Sequence, residues 1–103
     1  MRLPSRSHLR AIELINFFME NLVSAEENKA IVAILTRELG VDASELKPDS
    51  RLDQDLSADS LALVEIQLAL EERFNLTIPD ERIEQVRTVR DVYELIAEFT
   101  SAK

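Results

Sequence analysis

The sequence predicts an all-α protein, a small bundle of three to four helices, and three observations support this fold class. The 103 residues include one glycine and three prolines, which are too few turn residues for a fold of many short strands. Apolar residues recur at helical spacing in several stretches, and polar segments separate these stretches. A chain of this length buries about two-thirds of the surface that its unfolded form exposes. We therefore expect one domain with one core.

The composition is that of an ordinary globular chain, with 46% hydrophobic and 31% charged residues. No apolar run approaches the roughly 20 residues that a membrane span needs. Cysteine is absent, which excludes disulfides, a thiolate nucleophile and cysteine metal sites. The absence of cysteine does not determine the redox compartment. We expect a cytoplasmic location, with which a cysteine-free chain is compatible.

The net charge of −8 is unevenly distributed along the chain. The first 41 residues hold five acids and five bases, so the whole acidic excess follows Val41. Such a field repels nucleic acid and anionic membranes and attracts basic protein surfaces. We expect basic proteins as partners.

The first predicted helix covers residues 27–40, with the sequence ENKAIVAILTRELG. Ile31, Leu35 and Leu39 recur at helical spacing, and Gly40 follows as a residue that takes positive φ at low cost. Residues 41–58 then form a polar loop that is longer than most helix connections, a length that often indicates function. We expect its apolar residues to anchor it: Val41, Leu46 and Leu52.

The second predicted helix begins at Asp59 or Ser60, either of which can cap the free amides of a first turn. It ends near Phe74, and Pro79 then allows a short helix to Glu84.

The last predicted helix follows Thr88, which with Asp91 forms a capping-box pattern. Its apolar face consists of Val89, Val92, Tyr93, Ile96 and Phe99.

Residues 1–26 are predicted to be an extension, and residues 27–101 the domain itself. Four apolar residues of the extension recur at helical spacing and favour an additional amphipathic helix: Ile12, Ile15, Met19 and Leu22. A targeting peptide is the alternative, although Glu13 and Glu20 disfavour a mitochondrial leader, and Glu13 and Asn16 interrupt the apolar core of a secretory one. Translation from Met19 is a third possibility.

At about 100° per residue, the apolar residues of the second helix fall on two stripes. One stripe should face the core: Leu63, Ile66, Leu70 and Phe74. The other lies roughly 100° to 160° away and is flanked by Glu65, Glu71 and Glu72; it consists of Leu61, Val64 and Leu68. Either the bundle wraps more of this helix, or the second stripe is a docking face, which we favour because exposed apolar patches with polar rims mark interaction sites.

Ser60 invites several interpretations, the plainest being a helix cap. A hydrolase nucleophile is disfavoured because no G-x-S-x-G motif is present and the single histidine, His8, is remote. A calcium loop starting at Asp53 would place Ala58 at the required glycine and Val64 at the required glutamate, so we expect no metal site. The remaining role is to carry an anionic group, because a helix N-terminus favours phosphate.

The stretches DLSADSL, VEIQLALEERF, IPDE and TVRDVYELI resemble those of acyl carrier proteins, in order and spacing, over roughly residues 27–99. The resemblance implies that Ser60 bears 4′-phosphopantetheine through a phosphodiester, and that the thiol of this arm holds acyl groups as thioesters. Asp59 would help to present the acceptor hydroxyl, or a metal ion, to the transferase. The chain would be a carrier without catalysis of its own, serving fatty-acid, lipid or polyketide synthesis.

The resemblance also implies roles for the two stripes. It assigns docking of enzymes to Leu61, Val64, Glu65, Leu68 and Glu72. It assigns the core or an acyl pocket to Leu52, Leu63, Ile66, Leu70, Phe74, Ile78 and Val92. The expected partners are a phosphopantetheinyl transferase and acyl-processing enzymes with basic surfaces, with no nucleic acid, no stable membrane insertion, and a monomeric carrier.

The sequence departs from the family pattern at two places, and the second makes a specialised carrier for one lipid, polyketide or other acyl product as strong an alternative as a general fatty-acid carrier. Ser57 stands where many members have glycine, and it is expected to require a different backbone turn. Ala62 and Leu63 stand where many fatty-acid carriers have an acid and a small polar residue. The competing hypothesis is an unmodified interaction or structural protein of the same fold that uses only the second stripe.

Overall fold

The computed structural model describes residues 22–101, which form four α-helices: α1 (Ala25–Leu39), α2 (Ser60–Phe74), α3 (Asp80–Glu84) and α4 (Val89–Ser101). A short 3₁₀ helix, Ala43–Glu45, lies in the loop between α1 and α2. No strand occurs within this range, which confirms the all-α prediction. The extra helix predicted around Ile12, Ile15 and Met19 lies outside the described residues and stays a prediction.

Helix α1 begins at Ala25, two residues before the predicted domain start. Ser24 forms a capping box, because its Oγ accepts from the Glu27 N–H at 3.1 Å and Glu27 Oε1 accepts from the Ser24 N–H at 2.8 Å. The helix ends as predicted at Gly40, which has a φ of 64°. Val23, just before the cap, is buried in the core.

The core lies between α1, α2 and α4, and α1 packs directly against α2. Its largest fully buried side chains are Tyr93, Ile31, Leu35, Leu52, Ile66, Leu70, Ile78, Ile96, Val89 and Val92. The Tyr93 hydroxyl donates a hydrogen bond to Asn28 Oδ1 at 2.5 Å and so links α4 to α1. Burial raises the pKa of Tyr93 to about 12. The predicted apolar face of α4 is confirmed, with Phe99 only partly buried at its edge.

The long loop between α1 and α2 is held along the start of α4 by backbone hydrogen bonds. Leu52 N–H donates to the Arg87 carbonyl at 2.9 Å, and Val89 N–H donates to the Ser50 carbonyl at 3.1 Å. Arg51 and Thr88 form an isolated antiparallel bridge between these contacts. The loop is therefore an ordered part of the fold.

The N-terminus of α4 has the predicted capping box. Thr88 N–H donates to Asp91 Oδ2 at 3.1 Å, and Asp91 N–H donates to Thr88 Oγ1 at 3.2 Å. Asp91 Oδ2 also accepts from the Arg87 N–H at 2.9 Å. One carboxylate thus fixes both the start of α4 and the segment to which the long loop binds.

Ser57 adopts a φ of 59°, in the left-handed region that favours glycine. Ser57 thus takes a glycine-like conformation and bears its cost, which is about 1–2 kcal/mol for a residue with a Cβ. That this turn differs from the turn of glycine-bearing family members stays a prediction.

Ser57→Gly should stabilise the fold by about 0.5–1 kcal/mol, because relief of this cost exceeds the extra freedom of glycine in the unfolded chain. Gly40→Ala is the complementary change, since no atom lies within 4 Å of an added Cβ and only the φ of 64° opposes it. It should destabilise the fold by about 1 kcal/mol. Urea unfolding of both variants measures these effects, and a destabilised Ser57→Gly variant would contradict the backbone argument.

Candidate functional site

Helix α2 starts with Asp59 as its cap and Ser60 as its first helical residue. Asp59 Oδ1 accepts a hydrogen bond from the Ala62 N–H at 2.8 Å. The Ser60 side chain is exposed, and its hydroxyl makes no hydrogen bond within residues 22–101. Of the two residues that could cap the helix, Asp59 does so. The Ser60 hydroxyl forms no hydrogen bond that stabilises residues 22–101.

The end of the long loop fixes the position of this helix start. Ala58 is buried, and its N–H donates to the Leu52 carbonyl at 2.7 Å. Leu56, two residues earlier, is also buried. Ala58 is held in the core and Asp59 caps the helix, so the start of α2 is fixed to the fold and Ser60 is exposed to solvent.

The second stripe of α2 is exposed, as predicted. Leu61 is 65% exposed, Val64 47% and Leu68 58%, and these are the large hydrophobic side chains that the described residues leave in solvent. We call these three residues the exposed stripe. Glu65 and Glu72 are exposed beside it. Glu71, also predicted beside it, is half-buried, and its Oε2 accepts from the Ile78 N–H at 2.7 Å.

Glu38, Asp59 and Glu65 line a small depression of about 280 Å³, together with Leu61. A hydrogen bond with Glu38 is the largest cause that raises the pKa of Glu65, followed by partial desolvation and by the negative charges of Glu38 and Asp59. The ionised Glu65 therefore opposes folding at neutral pH, and this opposition disappears as the pH falls through the raised pKa. A cation that approaches this depression would relieve the repulsion.

Glu38→Gln should lower the pKa of Glu65, because it removes one negative charge and lets an amide N–H donate to the carboxylate. NMR titration of the Glu65 side-chain carboxyl carbon measures the change. Glu94→Gln makes the same chemical change on α4 and should leave the Glu65 pKa where it is. Equal pKa values in both variants would show that Glu38 does not act on Glu65.

A groove of about 780 Å³ runs along α2 from Ser60 and is bounded on its other side by residues 77–84. We call it the α2–α3 groove. Its apolar lining consists of Leu63, Val64, Leu68, Ile78, Pro79 and Ile83. Its polar lining consists of Gln67, Glu71, Thr77, Asp80 and Glu84, together with Ser60. The groove therefore begins at Ser60 and has a partly apolar surface.

The residues predicted for the core or an acyl pocket divide between the core and the α2–α3 groove. Four are buried in the core: Leu52, Ile66, Leu70 and Val92. Ile78 is buried and also lines the groove, and Leu63 lines the groove while packing partly on the core. Phe74 is partly buried against the core and does not line the groove.

Comparison with known proteins agrees with this geometry. The family model described as the phosphopantetheine attachment site matches residues 29–96. An acyl carrier protein of Helicobacter hepaticus is 48% identical over 68 residues, which cover 66% of this chain and 90% of that protein. Acyl carrier proteins of Syntrophobacter fumaroxidans and Helicobacter pylori are 44% and 46% identical over 72 and 66 residues, covering 70% and 64% of this chain and 89% and 85% of theirs.

The chain belongs to the acyl carrier protein family. It is a carrier that bears 4′-phosphopantetheine covalently and holds acyl groups on this arm. The start of α2 fits such a group, because the Ser60 hydroxyl is accessible and the N–H groups of Ser60 and Leu61 donate no hydrogen bond within residues 22–101. Free amides at a helix N-terminus favour a phosphodiester there. Once bound, the group supplies the thiol that the cysteine-free carrier lacks.

Two features of the carrier's site were missed in the sequence. Gln67 lies between two apolar stripes and gives no sign of its role, yet it is buried and contacts the segment after α2. Glu38 belongs to another helix, so only packing brings it to Glu65.

Within the described residues, no helix of the carrier is long and apolar enough to cross a membrane.

Proposed function

We propose that Ser60 is the residue to which 4′-phosphopantetheine is attached. The observation that carries this assignment is the division of labour at the start of α2. Asp59 provides the cap, so the exposed Ser60 hydroxyl is available for esterification without loss of a structural hydrogen bond. Ser57 is the nearest other serine. It has a φ in the left-handed region and lies before the cap, so it is not at the N-terminus of the helix.

The exposed stripe is the surface on which the transferase and the acyl-processing enzymes dock. Its three apolar side chains begin one residue after Ser60, so an enzyme seated on them has its active site near the arm. Glu65 and Glu72 add negative charge at its edge and favour enzymes with basic surfaces. These enzymes supply all the chemistry, and the carrier contributes none of its own.

Fatty-acid synthesis is one pathway for this carrier, and synthesis of a particular lipid or polyketide is the other. The pair Ala62–Leu63 favours the second, because Leu63 adds an apolar side chain to the groove where many fatty-acid carriers have a small polar residue. A cytoplasmic location and a monomeric carrier complete the proposal.

Mapping of the modified residue tests the assignment. The full chain is co-expressed with a phosphopantetheinyl transferase and digested, and its fragments are sequenced by mass spectrometry. We expect the phosphopantetheine increment on Ser60, and also on Ser60 in the matched Ser57→Ala variant. An increment on another serine, or none with a transferase that modifies a known carrier, would refute the assignment and favour an unmodified interaction protein.

A further inference from the structure

Gln67 is the buried polar side chain among the described residues, with 8% of its surface exposed. Its Nε2 donates to the Ile78 carbonyl at 2.9 Å and to Asp80 Oδ1 at 3.0 Å. A carbonyl oxygen can only accept, so the contact with Ile78 fixes the orientation of the amide. Gln67 therefore ties α2 to the segment that forms the other side of the α2–α3 groove.

This arrangement uses both donor hydrogens of the Gln67 amide and leaves its acceptor oxygen, Oε1, unused. Gln67 Oε1 has no hydrogen-bond partner within residues 22–101, and it is not sealed from solvent. Gln67 lines the groove together with the apolar residues Leu63 and Ile83, so the lining includes a residue with an unused hydrogen-bond acceptor.

The surroundings of Oε1 are also rich in acceptors. Three carboxylate residues line the groove, Glu71, Asp80 and Glu84, and no lysine or arginine does. Of these, Glu71 and Asp80 each have one oxygen already bound, to the Ile78 N–H and to Gln67. A saturated hydrocarbon chain in this groove would remove water from acceptors without replacing its hydrogen bonds.

We propose that the α2–α3 groove selects acyl chains that bear a hydrogen-bond donor, such as a hydroxyl group, over saturated chains of equal length, with Gln67 Oε1 as the acceptor. The inference rests on the proposed attachment at Ser60, because it requires the acyl group to reach a groove that begins there. It names Gln67 as a specificity-determining residue and hydroxyacyl chains as the class of cargo.

The test loads the arm of the full-length carrier with four synthetic acyl groups: octanoyl, and octanoyl with one hydroxyl at carbon 3, 5 or 7. The rate of thioester hydrolysis at fixed pH is divided by the rate for the same acyl group on free pantetheine, which removes the intrinsic effect of the hydroxyl. We expect at least one hydroxyoctanoyl group to be protected about two- to tenfold more than octanoyl, the effect of one net hydrogen bond.

NMR gives a second readout that does not depend on hydrolysis. The same hydroxyoctanoyl group should shift the side-chain amide signal of Gln67 and the backbone signals of Leu63 and Ile83, and octanoyl should shift them less. Protection of octanoyl equal to or greater than that of all three hydroxyoctanoyl groups would overturn the proposal.

Gln67→Met keeps the length of the side chain and removes the acceptor, so the preference for the hydroxyl should disappear. Gln85→Met makes the same change at an exposed position after α3 and should keep the preference. If Gln67→Met does not fold, because Ile78 and Asp80 lose their donor, the wild-type comparison still decides. A carrier that never accepts the arm would refute the proposed function itself, whereas a loaded carrier without selectivity would refute the groove proposal alone.

Discussion

Replacing Ser60 with alanine should abolish attachment of phosphopantetheine and leave the helical fold nearly unchanged. Attachment requires the Oγ atom as the ester oxygen, and alanine has none. The fold should survive because Asp59, not Ser60, caps α2 through the Ala62 N–H, and because alanine is the best helix former. Intact mass after co-expression with a transferase measures the first effect. Thermal unfolding measures the second, which should stay within about 0.5 kcal/mol.

Two substitutions at Asp59 separate its roles as a cap and as an acid beside the acceptor hydroxyl. Asp59→Asn should preserve the cap, since asparagine caps helices as well as aspartate, and should slow modification by removing the charge. Asp59→Ala should in addition destabilise the fold by about 1 kcal/mol. A wild-type modification rate in Asp59→Asn would show that Asp59 is only a cap. A full phosphopantetheine increment on Ser60→Ala would show that the arm is attached elsewhere.

Local signals explain why the helices could be predicted from the sequence. Gly40 and the Thr88–Asp91 pair mark helix ends through interactions that span only a few residues. The alternation of buried and exposed positions on α2 follows from its 3.6-residue period, so the exposure of Leu61 and Leu68 could be predicted too. Ser24 and Glu27 form the same kind of local signal, and the helix starts two residues before the start predicted from apolar spacing.

Contacts between distant segments could not be predicted in this way. The long loop binds residues 87–90 through backbone atoms, which every sequence possesses, so no side-chain pattern indicates that pairing. The same holds for Gln67, whose partners Ile78 and Asp80 follow a turn after α2. The residues predicted for the core or an acyl pocket therefore include some that fill the core, such as Leu70, and omit polar residues that line the α2–α3 groove, such as Gln67.

The exposed stripe leads to the second large effect, which we expect in binding and not in stability. Val64 lies between Leu61 and Leu68 and is 47% exposed, so Val64→Asp should leave the fold intact. In a complex, the new carboxylate would lose its hydration at the centre of an apolar contact. We expect affinity for the transferase and for an acyl-processing enzyme to fall at least about tenfold, which corresponds to about 1.4 kcal/mol.

Leu70→Asp is the folding control, because Leu70 has no exposed surface and the new charge would be buried without a partner. This variant should lose several kcal/mol of stability, a large part of the roughly 5–15 kcal/mol that holds a domain folded. Circular dichroism should therefore distinguish it from a folded Val64→Asp. An unfolded Val64→Asp would mean that the exposed stripe contributes to the core.

Glu65→Lys should act on the same surface through a different step, because a charge at the edge of a contact steers association more than it holds the complex together. Association with a basic enzyme should slow at low salt, and the loss should shrink as salt rises, since exposed charges are screened over about 8 Å at physiological ionic strength. Glu94→Lys changes the net charge of the carrier equally from α4 and should have the smaller effect. Association rates for both variants across a salt series decide between local and global charge. Equal losses would mean that only the overall field of the carrier matters, whereas wild-type affinity for both Val64→Asp and Glu65→Lys would mean that enzymes bind the carrier on another face.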